Sequence, residues 1–421
     1  LVLLMTPGLA FFYGGLVRSN QVLNTIKMSF ASLGLVGVLW ALLGYSLAFG
    51  NGNAFIGGME YVGLGNVGVQ PANDQSTVPH IAFAIFQMMF AIITPALISG
   101  AVVGRMRFKA YALFISLWML FIYAPLAHWV WGPGGWIAEM GALDFAGGTV
   151  VHVSAGIAAV VTALFLGRRT ASEDEDDPAH NIPFVVLGAS LLWFGWFGFN
   201  AGSALAADGI AALAVATTML AASASIAVWM LIDIVRRGKP QLTGSAIAAV
   251  VGLVAITPAA GFVSPGAAMI IGGCGASASY LVMWILKRSA LDDTLDVFAC
   301  HGVSGVVGSI LTGVFASTSI NAAGADGLLF GNVNLLVVQI VSVLAAAAFS
   351  AAGTACVLLL VRRITPLRVA SRAERVGIDL AEHDERAYSK TWFGVSAKSA
   401  PERSEPLMHT TFNATRSGEV S

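Results

Sequence analysis

The 421-residue chain is 57% hydrophobic and only 11% charged, with a formal net charge of −1 and a mean hydropathy of +0.79. Soluble domains carry about 25% charged residues, so the composition points to a membrane protein, and the near-neutral charge gives no bulk attraction for nucleic acid. Cys274, Cys300 and Cys356 all fall in apolar segments, which argues for buried thiols rather than a disulfide framework. Leu1 to Gly8 read like the middle of a span, so a true N-terminus is expected upstream and a signal peptide cannot be judged.

A helical span needs roughly 20 apolar residues to cross about 30 Å of hydrocarbon. Eleven such runs follow in chain order: about 1–17, 29–49, 80–103, 109–127, 145–167, 183–204, 209–235, 243–261, 264–286, 296–316 and 333–361. The period-two alternation of a β-barrel is missing, so the fold class is all-α integral membrane. Basic residues follow the odd spans: Arg18 and Lys27, then Arg105, Arg107 and Lys109, then Arg168 and Arg169, then Arg236, Arg237 and Lys239, then Lys287 and Arg288. The even-numbered connections hold no Lys or Arg. The positive-inside rule therefore predicts an external N-terminus and a cytoplasmic C-terminus.

The longest external connection, about 50–79, holds Gly and Asn and is expected to make turns. The connection 170–182 is acidic and reads as a solvated cytoplasmic loop. The predicted division is a transmembrane domain at 1–361, a cytoplasmic tail at 362–390 and a disordered tail at 391–421, the last rich in Ser, Glu and Thr.

Two histidines interrupt this pattern. His152 lies in Gly-Gly-Thr-Val-Val-His-Val-Ser-Ala-Gly (147–156) and His301 in Ala-Cys-His-Gly-Val-Ser-Gly (299–305), and both open His-x-x-x-Gly. An ionisable group at membrane depth is costly and marks a pathway by default. If spans 1–5 and 6–10 are two five-helix halves, their odd number inverts one against the other. His152 then lies roughly 12 Å from the outer face and His301 roughly 9 Å from the inner face, at 1.5 Å per residue. Gly156 and Gly305 share a helical face with the histidines and, with Gly148 and Gly308, let a facing helix approach closely. The imidazoles are expected in contact range at the bundle centre. The plainer alternative is that each histidine only hydrogen-bonds a neighbouring helix. Axial ligation of haem by the pair is a further alternative, disfavoured by the lack of a second deep histidine on either helix. Cys300–His301 is not a zinc site, because consecutive helical residues diverge by about 100°.

Aromatic residues cluster at the same level: Phe86-Gln-Met-Met-Phe90 in span 3, Trp129-Val-Trp131 beyond span 4, and Trp193 to Ser203 in span 6. Taken alone they read as an interfacial belt or as lipid-facing side chains.

At this point whole motifs resemble the ammonium transporters of the Amt/Mep/Rhesus type. They are Phe12-Tyr-Gly-Gly15, Asp144-Phe-Ala-Gly-Gly-Thr-Val-Val-His152, Gly195-Trp-Phe-Gly-Phe-Asn-Ala-Gly-Ser203 and Asp296-Val-Phe-Ala-Cys-His-Gly-Val303. The resemblance runs from about residue 1 to 390 and looks bacterial or archaeal in kind. It implies an eleven-helix inverted repeat assembled as a homotrimer in the plasma membrane, with one pore per subunit. It places Phe90, Trp131 and Ser203 at an external recruitment site, Phe90 and Phe199 in a stacked gate beneath it, and His152 and His301 along the lumen. Aromatic faces attract ammonium by about 0.5–2 kcal/mol each, and a serine hydroxyl accepts one of its hydrogen bonds. Asp144 shapes the site in this reading, beside its plainer role as the N-cap of span 5.

Carrying an intact cation through an apolar constriction is expensive, about 2.5–3.5 kcal/mol on insertion scales. The expected mechanism is deprotonation at the recruitment site, passage of NH3 past the histidines and reprotonation inside, with a proton relayed by the imidazoles. No cofactor and no enzymatic activity are implied. The tail motifs Glu374-Arg-Val-Gly-Ile-Asp379 and Glu382-His-Asp-Glu-Arg-Ala-Tyr388 resemble the segment that couples subunits and receives PII-type nitrogen regulators. Asp384 stands where bacterial relatives commonly carry Gly, which bears on the local turn. The alternative function is an ammonium sensor signalling through this tail. A Rhesus-type preference for neutral gas is a variant of the transporter reading, and Trp131 and Ser203 favour ammonium recruitment.

Overall fold

Apolar runs of this length leave the backbone one way to satisfy itself in hydrocarbon, and helices fill them. The computed structural model describes residues 1–72, 77–170 and 179–388. Among these the regular structure is helical, with two isolated bridges (Pro71 to Pro79 and Met106 to Arg368) and no strand. Helices occupy all eleven predicted runs: α1 Val2–Leu16, α2 Val22–Phe49, α3 His80–Ala101, α4 Phe108–Glu139, α5 Gly148–Leu166, α6 Ile182–Gly202, α7 Gly209–Arg237, α8 Leu242–Ile256, α9 Pro265–Leu286, α10 Phe298–Phe315 and α11 Val333–Ile364. Nine are long and apolar enough to cross a membrane, and α1 and α8 are shorter apolar helices. The chain is thus a multi-pass membrane protein. Two short helices follow, α12 Ser371–Val376 and α13 Ile378–His383. Leu1–Ala387 form one compact unit. The disorder expected for 391–421 lies outside the described residues, as do 171–178 of the acidic connection.

The helix starts are written in the sequence. The side chains of Asn181, Asp208, Ser264 and Asn332 accept amide hydrogen bonds at the starts of α6, α7, α9 and α11, and Pro183 and Pro265 occupy first-turn positions where no N–H is needed. Several predicted limits shift. α2 begins at Val22 rather than about 29, and the helical ladder of α4 continues to Trp131 before a turn at 132–135 and a last short helical piece, Trp136–Glu139, so Trp129 and Trp131 are helical rather than beyond the helix. α8 ends at Ile256 rather than about 261, two residues before Pro258, which has no N–H to carry the helical ladder on. Cys300 is buried as predicted, but Cys274 and Cys356 are exposed. An apolar stretch in a membrane helix includes its lipid-facing side, so apolar neighbours do not imply burial there.

Two helix pairs cross at the centre through glycine. α1 and α6 meet where a Cβ on Gly188 would lie 2.2 Å from the Phe12 nitrogen. α5 and α10 meet where a Cβ on Gly156 would lie 2.3 Å from the Gly302 Cα. The second contact fixes the two histidine-bearing helices against each other.

Candidate functional site

The site is built on the first turns of α5 and α10. Asp144, just ahead of α5, accepts four amides: Gly147 and Gly148 on Oδ1 (2.8 and 2.6 Å), Thr149 and Val150 on Oδ2 (2.9 and 3.1 Å). These are the orphan donors of a helix start, and the carboxylate stabilises the positive end of the dipole. Gly147 holds φ +109° at this corner, a conformation that favours glycine. The Asp144 carbonyl in turn accepts the Trp131 indole N–H at 2.8 Å. One residue therefore caps α5 and fixes an aromatic of the neighbouring helix.

Both histidines stand in π-helical turns, Gly148–Val153 and Phe298–Val303. The close approach of the two helices brings the rings together: Nδ1 of His152 and Nδ1 of His301 are 3.3 Å apart, with ring centroids at 5.4 Å and planes at 21°. A Cβ on Gly305 would lie 3.0 Å from the His152 Cβ, and Gly148 and Gly308 pack against Pro258 below α8. Each histidine-motif glycine thus sits at a point of tight helix approach. Trp196 stacks on the other face of His152 at 5.5 Å and 18°, its indole N–H held by Thr257. Both imidazoles line a cavity of about 10 Å³ whose other walls, Leu9, Ile93, Val151 and Phe199 among them, are apolar. That is space for about one water-sized molecule. Two metal–nitrogen bonds would need nitrogens about 4 Å apart, so the pair at 3.3 Å does not fit an iron held between Nδ1 atoms.

Above this cavity Phe90 and Phe199 stack face to face, centroids 4.0 Å and planes 13° apart, and both are buried. Trp131 meets Phe90 edge-on at 6.0 Å and 90°. Ser203 follows the end of α6 and donates its hydroxyl to the Phe199 carbonyl at 2.9 Å, which leaves its lone pairs to accept. Phe90, Trp131, Phe199, His152 and His301 therefore form one continuous column, and Ser203 joins it through Phe199.

The opposite end of the bundle is charged. Arg105 is fully buried and forms an ion pair with Asp292 at 3.3 Å, and Asp292 also holds Arg169 at 2.8 Å. Burial works to raise the Asp292 carboxyl, but the hydrogen bond and charge of Arg169 outweigh it and hold it below the usual range. The tail docks here. Asp379 accepts the Leu23 and Asn24 amides (3.0 and 2.8 Å), capping α2 from a distance, and His383 meets Lys27 and Asn24. Glu382 accepts the Phe108 amide, and Glu374 binds Arg368 and the Thr170 amide. Asp384 adopts φ 52°, ψ 32°, the left-handed conformation a glycine would favour; Asp is among the few side chains that visit it routinely.

Sequence reasoning missed Trp196, hidden among the five aromatics of 193–199 and distinguished only by its stacking on His152. It also missed Asp293, although the residue stands eight before His301 just as Asp144 stands eight before His152.

Comparison with known proteins gives a consistent result. The model of the Ammonium Transporter Family matches residues 1–388. An ammonium transporter of Bacillus subtilis is 49% identical over 389 residues, covering 92% of this chain and 96% of its own length. One from Aquifex aeolicus is 48% identical over 393 residues, covering 92% and 91%. Among solved structures, Mep2 of Saccharomyces cerevisiae is 37% identical with a TM-score of 0.82, covering 88% and 87%. A protein described as a sensor Amt protein is 28% identical with a TM-score of 0.82, covering 91% and 95%.

Proposed function

Because the chain belongs to the ammonium transporter family, we propose that it recruits ammonium at Trp131, Phe90 and Ser203, deprotonates it there, and passes NH3 between His152 and His301. The observation that carries this reading is the imidazole pair at 3.3 Å in a one-molecule apolar cavity, directly beneath the stacked phenylalanines. An intact ammonium ion would lose its hydration in that cavity against a cost of several kcal/mol, whereas NH3 fits with little penalty. The released proton follows the two imidazoles. Their Nδ1 atoms face each other, so one ring donates while the other accepts, and the roles exchange as the proton moves.

In this reading α1 and α8 also cross the bilayer, giving eleven spans with the N-terminus outside. The cytoplasmic face is then the one where Arg105, Arg169 and the tail gather. The protein acts as a transporter rather than an enzyme, works as a homotrimer in the plasma membrane, and offers its docked tail to a PII-type regulator. A second reading, an ammonium sensor, is supported by the likeness to the sensor Amt protein.

The test is current from proteoliposomes given an ammonium jump, with an internal pH dye, for wild type, Trp131→Leu, His152→Ala and the double His152→Leu, His301→Leu. The expected result is a saturable current lost in the double variant. Alkalinisation without current would replace the relay by a passive NH3 channel, and no response of any kind would favour the sensor.

A further inference from the structure

The two halves differ at a matched carboxylate. Asp144 and Asp293 each stand eight residues ahead of a histidine and each caps the start of a histidine-bearing helix. Asp144 has both oxygens occupied by four amides. In Asp293, Oδ2 accepts the Phe298 amide at 2.7 Å, and the Val297 amide also lies near the carboxylate, but Oδ1 is buried and makes no hydrogen bond among the described residues. The cause lies at the next matched corner. Gly147 presents its amide to the carboxylate; its counterpart Asp296, five residues before His301 and also left-handed at φ 56°, gives its amide to the Asp293 carbonyl instead.

A buried carboxylate oxygen without a donor is costly unless the group takes a proton. Asp293 is 8% exposed and lines a cavity of about 840 Å³ at the end of the bundle where the tail docks. Three of the charged groups around it are committed elsewhere. Asp292 is paired with Arg105 and Arg169. The two terminal nitrogens of Arg105 also bond Thr294 and the Ala101 and Asp292 carbonyls, while its buried Nε meets no acceptor among the described residues. Glu374, across the cavity, is paired with Arg368. Arg18, Arg168 and Lys287 also line the cavity, and the buried Tyr13 and Cys300 face the carboxyl from α1 and α10. Burial, reinforced by Asp296, pushes the Asp293 carboxyl up to about 7, where a group both gives and takes protons in the cytoplasmic range.

Building on the ammonia-conduction reading, we propose that Asp293 is the inner proton-exchange residue of the pathway, protonating ammonia that has reached the cavity. In that step the carboxylic O–H bond breaks and an N–H bond forms, leaving ammonium and the Asp293 carboxylate. The carboxylate recovers its proton from the histidine pair, which received it from ammonium on the other side. One ammonium enters and one leaves, and no other reactant is consumed.

The experiment uses the full chain in proteoliposomes, wild type against Asp293→Asn and Asp293→Glu. Ammonium-evoked current is measured at a series of internal pH values, beside NH3 flux and melting temperature. The amide oxygen of Asp293→Asn still caps Phe298, so a purely structural role predicts no change beyond a small loss of stability. The proposal expects current to fall roughly tenfold or more in Asp293→Asn while NH3 flux persists, and the internal-pH midpoint to shift in Asp293→Glu with the external-pH profile unchanged. Full current with an unmoved midpoint in Asp293→Asn would overturn it. If that variant does not fold, an unmoved midpoint in Asp293→Glu overturns it equally. Wild-type alkalinisation without current would remove the relay reading and this proposal together, whereas wild-type current insensitive to Asp293 removes this proposal alone.

Discussion

Adding one methyl group at Gly156 tests whether helix approach sets the histidine contact. The alanine Cβ would stand 2.3 Å from the Gly302 Cα and 2.4 Å from its nitrogen, where ordinary contact begins at 3.4 Å. Both atoms are backbone, so no side chain can swing aside and α5 and α10 must part by about 1.1 Å. If the imidazoles follow, the 3.3 Å Nδ1–Nδ1 separation opens to roughly 4.4 Å, beyond hydrogen-bond reach. Overpacking of this kind costs about 1–3 kcal/mol, which a folded membrane protein survives. The expected outcome for Gly156→Ala is a folded protein whose ammonium-evoked current drops at least as far as that of His152→Ala. Gly34→Ala is the control, since a Cβ there meets nothing within 4 Å, and its current and melting temperature should match or exceed wild type. Wild-type current from Gly156→Ala would refute the claim that glycine contact positions the relay.

Three further outcomes follow from other contacts. Trp131→Leu removes a cation–π partner worth about 0.5–2 kcal/mol, so the half-saturating ammonium concentration should rise about 2- to 30-fold with the maximal current less affected, as read from concentration series. Asp144→Ala orphans four buried amides and frees the cap of α5; at about 1–3 kcal/mol for each unsatisfied group little folded protein should survive extraction, whereas Asp144→Asn should melt between that variant and wild type. In the tail, burial acts to raise the Glu374 carboxyl but the Arg368 and Thr170 hydrogen bonds dominate and lower it. Its contribution to docking is therefore complete above the ordinary value of 4.5 and is lost as pH falls through the lower folded value. Hydrogen exchange across residues 365–383 should accelerate on that acid side, and Glu374→Gln should show fast exchange at every pH.

The helices were legible because the bilayer imposes one length and one polarity on them, and the histidines because ionisable residues are rare in such runs. What sequence reading lost was lost to tertiary contacts. The first turns of α2 hold Asn24, Thr25 and Lys27 and resemble a connection; they are polar because Asp379 caps them and His383 bonds Asn24 and Lys27, partners more than 350 residues away. The extension of α4 through Trp129 and Trp131 was hidden by their belt-like composition, although Trp131 is tied to the Asp144 carbonyl. Asp144 was readable as a cap from its place before span 5, but the same reading applied to the second half would have singled out Asp293. The consequence of exchanging Gly147 for Asp296 in the corner appears only once the amide directions are known.

The difference between the matched corners bears on kinetics as well as chemistry. A passive path obeys detailed balance, so at zero voltage the ratio of maximal rate to half-saturating concentration is the same for influx and efflux, however unlike its mouths. In the proposed pathway an aromatic mouth at Trp131 and a carboxylate mouth at Asp293 can each be tuned freely, but any gain in capture on one side returns as slower release toward that side. Asymmetry between the halves therefore sets the ammonium concentration at which each direction saturates, while the direction of net flow is left to the gradient.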